Sequence, residues 1–87
     1  MSVPTMQRDI IFRMFRRRII GGVHKSREGI CGWFRKDLRG EAKDALDDLV
    51  KSGLVIEKPT SYGKQYSLNR DRLGDIIRII EEHLDED

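Results

Sequence analysis

The stretch EAKDALDDLVKSGLVIEKPTSYGKQYSLN, residues 41–69, changes its hydrophobic period from helical to extended within a few positions. Over residues 41–51 the apolar side chains recur at three- and four-residue intervals, which places them on one face of a helix. The members of this face are Ala42, Ala45, Leu46, Leu49 and Val50. Ser52-Gly53 ends the helix, because glycine readily adopts the left-handed conformation that follows a helix.

Two alternating runs follow, over residues 54–58 and 65–69, and the turn-forming residues 59–64 lie between them. This pattern predicts a two-stranded antiparallel hairpin with a polar, partly basic tip. The alternation pairs the side chains by face: Leu54 with Ile56, Val55 with Glu57, and Tyr66 with Leu68. A lone hairpin is not stable in water, so we expect its apolar side to lie on the helices.

An amphipathic core helix is predicted over residues 6–20, with Thr5 as its N-cap and Gly21-Gly22 as its stop. Its apolar residues cover more than half of the circumference, so it contacts more than one neighbour. The remaining stripe is basic and contains Arg13, Arg16 and Arg17, which either extend a basic surface or complement the helix dipole.

Residues 21–40 contain several glycines and predict shorter elements. Val23 fits a short extended segment, and Ser26 is a suitable N-cap for a short helix that reaches Trp33 or Phe34. The run RKDLRG, residues 35–40, predicts a basic connection to the helix at 41–51.

The last helix is predicted over residues 70–84, with Asn69 as its cap. Its expected inward stripe consists of Leu73, Ile76, Ile77, Ile80 and Leu84. Ile79 lies off this stripe, which suggests a homodimer contact through the C-terminal helix.

Size and charge limit the class of protein. The 87 residues predict a single domain over residues 1–87 with an ordered core at about 5–84. Residues 1–40 carry a net charge of +7 and residues 41–87 a net charge of −5. Such a split favours a polyanion or an oppositely charged partner. The absence of a long apolar run predicts no membrane segment, and the lone Cys31 predicts a cytoplasmic protein without disulfides.

The pattern of titratable residues favours a binding protein over an enzyme. His24, Cys31 and His83 are scattered without the spacing of metal ligands, so no metal is expected. The sequence contains no nucleophile array and no phosphate-binding glycine loop, and we expect neither catalysis nor a cofactor.

The order of elements, helix, short helix, basic turn, helix, hairpin and helix, resembles that of a winged helix-turn-helix domain. It is particularly similar to the short stand-alone winged-helix proteins common in archaea. The resemblance covers residues 5–84 and rests mainly on residues 41–69. It implies an α+β, mostly helical fold with a three-helix core, a two-stranded wing hairpin and a C-terminal helix.

The resemblance also implies how the domain would meet DNA. In this family the second of the paired helices enters the major groove, and the wing contacts the backbone or the adjacent minor groove. Gly40, Lys43, Asp44, Asp47 and Lys51 would then face outward on the recognition helix. Arg35, Lys36 and Arg39 would lie at or before the start of that helix, and Lys58, Tyr62 and Lys64 would form the wing.

The residue types support phosphate contact at two of these places. Arg35, Lys36 and Arg39 flank a helix N-terminus, which attracts anions. Lys58 and Lys64 flank the hairpin tip, where Tyr62 offers a ring and a hydroxyl or else folds back on the sheet. Both sets are also typical of ordinary solvated surface.

The carboxylates of the third helix oppose this interpretation. Asp44, Asp47 and Asp48 lie on or near its outward face and would repel phosphates, although Asp47 is spaced to pair with Lys51.

The sequence thus predicts a double-stranded DNA-binding protein, with transcription regulation as the role that such binding suggests. The site residues are Arg35, Lys36, Arg39, Lys43, Lys58, Tyr62 and Lys64. The alternative is a protein–protein interaction module that uses the acidic third helix and the C-terminal helix. RNA binding is not distinguished from DNA binding. The decisive expectation is that the cations at 35–43 and those beside the hairpin tip lie on one side.

Overall fold

Four α-helices and a three-stranded antiparallel sheet make up the described part of the chain, residues 3–85 of a computed structural model. The helices are α1 (Thr5–Arg16), α2 (Arg27–Cys31), α3 (Arg39–Lys51) and α4 (Leu73–Leu84). The strands are β1 (Lys25–Ser26), β2 (Val55–Thr60) and β3 (Gly63–Leu68). Two 3-10 turns, Lys36–Leu38 and Arg70–Arg72, precede α3 and α4. The fold is therefore α+β and mostly helical, as the sequence predicts.

The sheet has the strand order β1-β3-β2. The predicted hairpin is confirmed, with Val55 opposite Leu68 at its base and Thr60 opposite Gly63 at its tip. The strand β1 was not predicted; it pairs antiparallel with β3 through Lys25 and Tyr66. Its two residues are too few to show an alternating pattern. The predicted two-stranded hairpin is thus part of a three-stranded sheet.

The face of β2 that packs on the helices is not the predicted one. Val55 is 1% exposed, whereas Ile56 is 46% exposed and points to solvent. Leu54 is buried as expected, but it precedes the strand and packs as part of the end of α3. Pairing Leu54 with Ile56 was therefore wrong, because the alternation begins at Val55.

Helices α1 and α3 end in the same hydrogen-bonded motif. In α1 the amide of Arg18 donates to Phe15 O and that of Ile19 donates to Met14 O, both at 3.0 Å. In α3 the amide of Gly53 donates to Val50 O at 3.1 Å and that of Leu54 donates to Leu49 O at 3.2 Å. This pair of hydrogen bonds defines the Schellman motif, which requires a residue in the left-handed conformation. That residue is Arg18 in α1, with φ 58°, and Gly53 in α3, with φ 83°.

The predicted bounds of α1 were consequently wrong at both ends. Pro4, and not Thr5, is the N-cap, and the helix ends at Arg16 because Arg18 adopts the left-handed conformation before Gly21 is reached. Ile20, expected in the helix, instead forms a parallel bridge with Leu68. This bridge connects the segment after α1 to the end of the central strand β3.

The short helix α2 begins as predicted and ends early. The hydroxyl of Ser26 accepts a hydrogen bond from the amide of Gly29 at 3.0 Å, which confirms Ser26 as the N-cap. The helix ends at Cys31, before the predicted Trp33 or Phe34. Ile30 and Cys31 are buried and anchor α2 to the core.

The inward stripe of α4 differs from the prediction. Asn69 does act as a cap, accepting from the amide of Asp71 at 3.0 Å, but it caps the 3-10 turn before α4. Ile79 is 9% exposed, whereas the predicted inward residues Ile77 and Leu84 are exposed. The stripe is completed by His83, whose ring lies 5.5 Å from that of Phe12. Because Ile79 is buried in the core, it offers no surface for the homodimer contact predicted through it.

The core lies where α1 packs against both α3 and α4 and where the sheet closes one end. Ile10, Ile11 and Met14 of α1 are fully buried there, beside Leu46 and Leu49 of α3. This packing leaves the opposite side of α3 free to face solvent. Over residues 3–85 no helix has the length and apolar character needed to cross a membrane.

Candidate nucleic-acid interface

A depression of about 450 Å³ lies between the solvent-facing side of α3 and the hairpin. We call it the hairpin depression. It is lined by Arg27 of α2, by Lys43, Asp47, Val50 and Lys51 of α3, and by Glu57 and Lys64 of the hairpin. Four cations and two carboxylates therefore surround it, and they come from three separate segments of the chain.

Arg27 and Tyr66 form the centre of a hydrogen-bond network beside this depression. Arg27 donates to the Tyr66 hydroxyl from Nε at 3.0 Å and from Nη2 at 2.6 Å, and to Asp47 Oδ1 from Nη2 at 3.0 Å. The Tyr66 hydroxyl donates to Glu57 Oε1 at 3.1 Å, and Lys64 Nζ lies 3.4 Å from the same oxygen. These five residues, the Arg27–Tyr66 network, fix the hairpin relative to α2 and α3.

The protonation states of the network follow from its surroundings. Burial disfavours charge on Arg27, but the hydrogen bond to Tyr66 and the charges of Asp47 and Glu57 outweigh it and raise the pKa of Arg27. Burial also raises the pKa of Tyr66, despite the opposing effect of Arg27. At neutral pH Arg27 is therefore charged and Tyr66 is a neutral phenol, so the phenol accepts from Arg27 and donates to Glu57.

A second depression, of about 610 Å³, adjoins the start of α3. We call it the α2–α3 depression. It is lined by Arg27, Glu28, Cys31 and Gly32 on one side and by Arg39, Gly40 and Lys43 on the other. Arg27 and Lys43 line both depressions, so the cationic surface is continuous from the start of α3 to the hairpin.

The carboxylates of α3 are largely separated from these cations. Glu41, Asp44 and Asp48 line a different groove, of about 200 Å³, where α3 meets Met6 at the start of α1. Asp47 does face the hairpin, but its charge is offset by Arg27 at 3.0 Å. Pairing of Asp47 with Lys51 was expected, and Arg27 takes that role instead. The repulsion expected from Asp44 and Asp48 is thus directed to another side of the helix.

Of the predicted site residues at or before the start of α3, Arg39 lines the α2–α3 depression. Arg39 Nε donates to Phe34 O at 3.3 Å, which holds its stem against the turn. Arg35 forms an exposed ion pair with Asp37 at 3.0 Å. Lys36 is exposed in the 3-10 turn. Arg35 and Lys36 line neither the hairpin depression nor the α2–α3 depression.

The predicted wing residues do not share one face of the hairpin. Residues opposite each other in a sheet lie on the same face, and successive residues alternate. Lys64 is opposite Pro59 and shares a face with Glu57 and Tyr66. Lys58 is opposite Gln65 and lies on the other face. Only Lys64 therefore reaches the hairpin depression.

Tyr62 stands at the hairpin tip and is 98% exposed. The hydroxyl oxygen of Thr60 accepts from the amide of Tyr62 at 3.2 Å and holds the tip in a tight turn. The alternative in which Tyr62 folds back on the sheet is therefore wrong.

Two arginines at the end of α1, Arg13 within the helix and Arg17 directly after it, stack on aromatic rings. The guanidinium of Arg13 lies 4.6 Å from the Phe34 ring, and that of Arg17 lies 4.3 Å from the Trp33 ring. Such cation–π contacts stabilise a fold by about 0.5–1 kcal/mol each at exposed sites. These arginines fasten the 33–34 segment to α1, which neither interpretation of the basic stripe anticipated.

Sequence reasoning missed Arg27, the cation that lines both depressions. It follows the Ser26 cap and has no periodic signal of its own, and its partners Asp47 and Tyr66 lie 20 and 39 positions away. Only the fold brings these three residues together.

Within residues 3–85 no three His, Cys, Asp or Glu side chains are grouped so that they could hold a metal ion. Cys31 is buried, and this burial raises the pKa of its thiol. At neutral pH the thiol is protonated and behaves as a small core side chain.

Comparison with protein-family models, with curated proteins and with solved structures finds no match for this chain. The function proposed below is therefore inferred from the geometry of α3, α2 and the hairpin.

Proposed function

We propose that the protein binds nucleic acid, preferentially double-stranded DNA, through the solvent-facing side of α3 and the hairpin, as a winged helix-turn-helix domain. The observation that carries the proposal is the position of Lys43 and Lys64, which line one depression although they belong to different elements. A helix and a hairpin that offer cations to one side can contact two parts of a duplex backbone.

The order and packing of the elements support this assignment. The helices α2 and α3 are joined by the 3-10 turn Lys36–Leu38, and the hairpin follows α3 directly. This is the order that the winged-helix resemblance predicts. The Arg27–Tyr66 network holds the hairpin beside α3, as a wing requires.

The balance of charge also supports the proposal. Lys43 and Lys51 have no carboxylate within ion-pair distance among the described residues, so both are available to phosphates. The two carboxylates at the hairpin depression, Asp47 and Glu57, are each paired with a cation of the network. The net field at this surface therefore favours a polyanion.

The test is duplex DNA binding measured by fluorescence anisotropy at two salt concentrations. If three phosphates are neutralised, affinity falls about 40-fold between about 50 and 200 mM salt. The variant Lys43→Gln with Lys64→Gln lowers the salt slope by about two units, one for each lost phosphate contact. Arg78→Gln in α4 removes one charge at a site away from both depressions and leaves the slope unchanged. Absence of duplex binding at low salt removes the proposal.

Duplex RNA of the same sequence completes the experiment. A-form RNA has a deep, narrow major groove that a helix does not enter, so we expect weaker binding than to DNA. Equal or tighter binding to RNA would replace the DNA assignment. Regulation of transcription follows only if one DNA sequence binds more tightly than a scrambled duplex.

The acidic groove supports a second candidate function, the binding of a basic protein segment. The carboxylates of Glu41, Asp44 and Asp48 make this groove negative, and Met6 adds an apolar surface beside them. The test is an NMR titration with a Lys-rich peptide. Shifts confined to this groove and lost in Asp44→Lys with Asp48→Lys support the candidate, whereas the same double variant leaves duplex binding intact under the first proposal. Dispersed or absent shifts remove the second candidate.

A further inference from the structure

The α2–α3 depression has the dimensions of a small-molecule site. Its volume of about 610 Å³ lies within the range of about 300–1,000 Å³ found for ligand pockets. Cys31 and Gly32 give it an uncharged wall, and the polar groups lie around them. Four of its seven lining residues are charged, so the depression suits a compact ligand that is itself charged.

The charges around this depression favour an anion. Arg27, Arg39 and Lys43 face it, and Glu28 is the only carboxylate among its lining residues. Arg39 and Lys43 form no ion pair within the described part of the chain, and Arg39 is steadied by its bond to Phe34 O. Arg27 is held in place by Tyr66 and Asp47, so one cation is already oriented before a ligand arrives.

The start of α3 adds to the same preference. No side chain caps this 13-residue helix, whose N-cap is Leu38. The amide of Arg39 bonds to Lys36 O of the preceding 3-10 turn, and Arg39, Gly40 and Lys43 place the positive end of the helix dipole at the border of the depression. Gly40 lines the depression and has open space where a Cβ would be, so a ligand can approach the backbone there.

We propose that the α2–α3 depression binds a small phosphate monoester of nucleotide size. Its phosphoryl group lies between Arg39 and Lys43, and its uncharged part lies against Cys31 and Gly32. A concave site with an uncharged wall fits a compact ligand better than the outer surface of a duplex, which contacts only the rim. Because Lys43 and Arg27 line both depressions, the ligand competes with nucleic acid, a competition that rests on the proposed function.

The test is a titration of the isotope-labelled protein with adenosine monophosphate, followed by amide shifts. We expect saturable shifts confined to residues 27–32 and 38–43. Adenosine lacks the phosphoryl group and inorganic phosphate lacks the uncharged part, so we expect each to bind at least about tenfold more weakly than the monophosphate. Shifts that are dispersed, or that do not saturate, overturn the proposal, as does equal binding of adenosine alone.

A matched pair of glycine variants separates binding from folding. Gly40→Glu places a negative charge at the depression, and Gly74→Glu places one at the same position of α4; both sites have room for a Cβ. We expect Gly40→Glu to weaken monophosphate binding at least about tenfold. Gly74→Glu leaves it unchanged, and both variants keep or raise the melting temperature because glycine disfavours helix. Equal affinities of the two variants would overturn the proposal.

The fates of the two proposals are distinguishable. Monophosphate binding without duplex binding sustains this inference and removes the proposed function. Duplex binding without monophosphate binding does the reverse. When both ligands bind, the monophosphate must displace the duplex. Failure to displace it would contradict the claim that the two ligands compete.

Discussion

Arg27 donates two hydrogen bonds to one acceptor, the hydroxyl of Tyr66, at 3.0 Å from Nε and 2.6 Å from Nη2. The two residues are 39 positions apart and join α2 to the central strand β3. The same guanidinium reaches Asp47 of α3, and the same hydroxyl reaches Glu57 of β2. The side chains of Arg27 and Tyr66 thus connect α2 and α3 to both strands of the hairpin.

Replacing Tyr66 by Phe tests this connection. The variant keeps the fully buried ring but leaves Arg27 and Glu57 without the hydroxyl. Arg27 keeps Asp47 and Glu57 keeps Lys64, but the hydrogen bonds to the hydroxyl are lost. Hydrogen bonds to charged groups contribute about 1.5–3 kcal/mol, so the free energy of unfolding in urea should fall by about that amount. Tyr62→Phe is the matched control, because the ring of Tyr62 is exposed, and it should leave stability unchanged. Equal free energies of unfolding for the two variants would show that the Tyr66 hydroxyl does not stabilise the fold.

The pKa of Tyr66 has a consequence at alkaline pH. Burial raises it above the ordinary value of 10.0, so its contribution to stability is complete below pH 10.0 and is lost as pH rises through the folded-state pKa. The chain has two tyrosines, so in Tyr62→Phe the tyrosinate absorbance reports Tyr66 alone. We expect its titration midpoint above 10.0 and a parallel fall in melting temperature. A midpoint at or below the ordinary value would contradict this prediction.

Arg18 adopts a conformation in which most side chains are strained. In the equivalent position of α3 the chain has Gly53. A left-handed non-glycine residue costs about 1–2 kcal/mol, so Arg18→Gly should raise the free energy of unfolding, by about 1 kcal/mol after the added flexibility of the unfolded chain is counted. Arg18→Ala retains the Cβ and should give no such gain. A gain shared by both variants would instead point to the arginine side chain.

Two isoleucines of α4 test the corrected inward stripe. Ile79 is buried, so Ile79→Ala should destabilise the protein by about 2–4 kcal/mol. Ile77 is 42% exposed, and Ile77→Ala should cost less than about 1 kcal/mol. Urea unfolding of the two variants compares them directly. The reverse order of stability would mean that α4 is rotated relative to the core.

The two hairpin lysines make different predictions for nucleic-acid binding. Lys64 lines the hairpin depression and Lys58 lies on the opposite face. Lys64→Gln should lower the salt slope of duplex binding by about one unit, and Lys58→Gln should leave it unchanged. Equal effects of the two substitutions would mean that the ligand contacts both faces of the hairpin, and the interface would have to be redrawn around the tip.

Elements with a local signal could be predicted from the sequence. The period of residues 41–51, the stop at Gly53 and the presence of the hairpin are contained within short windows, and the structure confirms all three, although the inward face of β2 begins at Val55. The caps Ser26 and Asn69 are local too, since each bonds to an amide two or three residues away. The α+β class follows from these elements.

What depended on distant partners could not be predicted. The strand β1 exists because β3 pairs with it, and the inward position of His83 depends on Phe12. Which face of the hairpin each lysine occupies depends on the register of β2 and β3, which the sequence does not give. This is why Lys64 and Lys58, alike in sequence, differ in place, and why Arg27 had no signal at all.

The central position of β3 has a consequence for how the chain is made. Both β1 and Ile20 depend on residues 65–68 for their partners, and β2 depends on all of β3. The first two thirds of the polypeptide therefore leave the ribosome with no completed sheet, and assembly waits for the emergence of Leu68. The sheet therefore closes in a single event, because β1, Ile20 and β2 all gain their partner when β3 emerges.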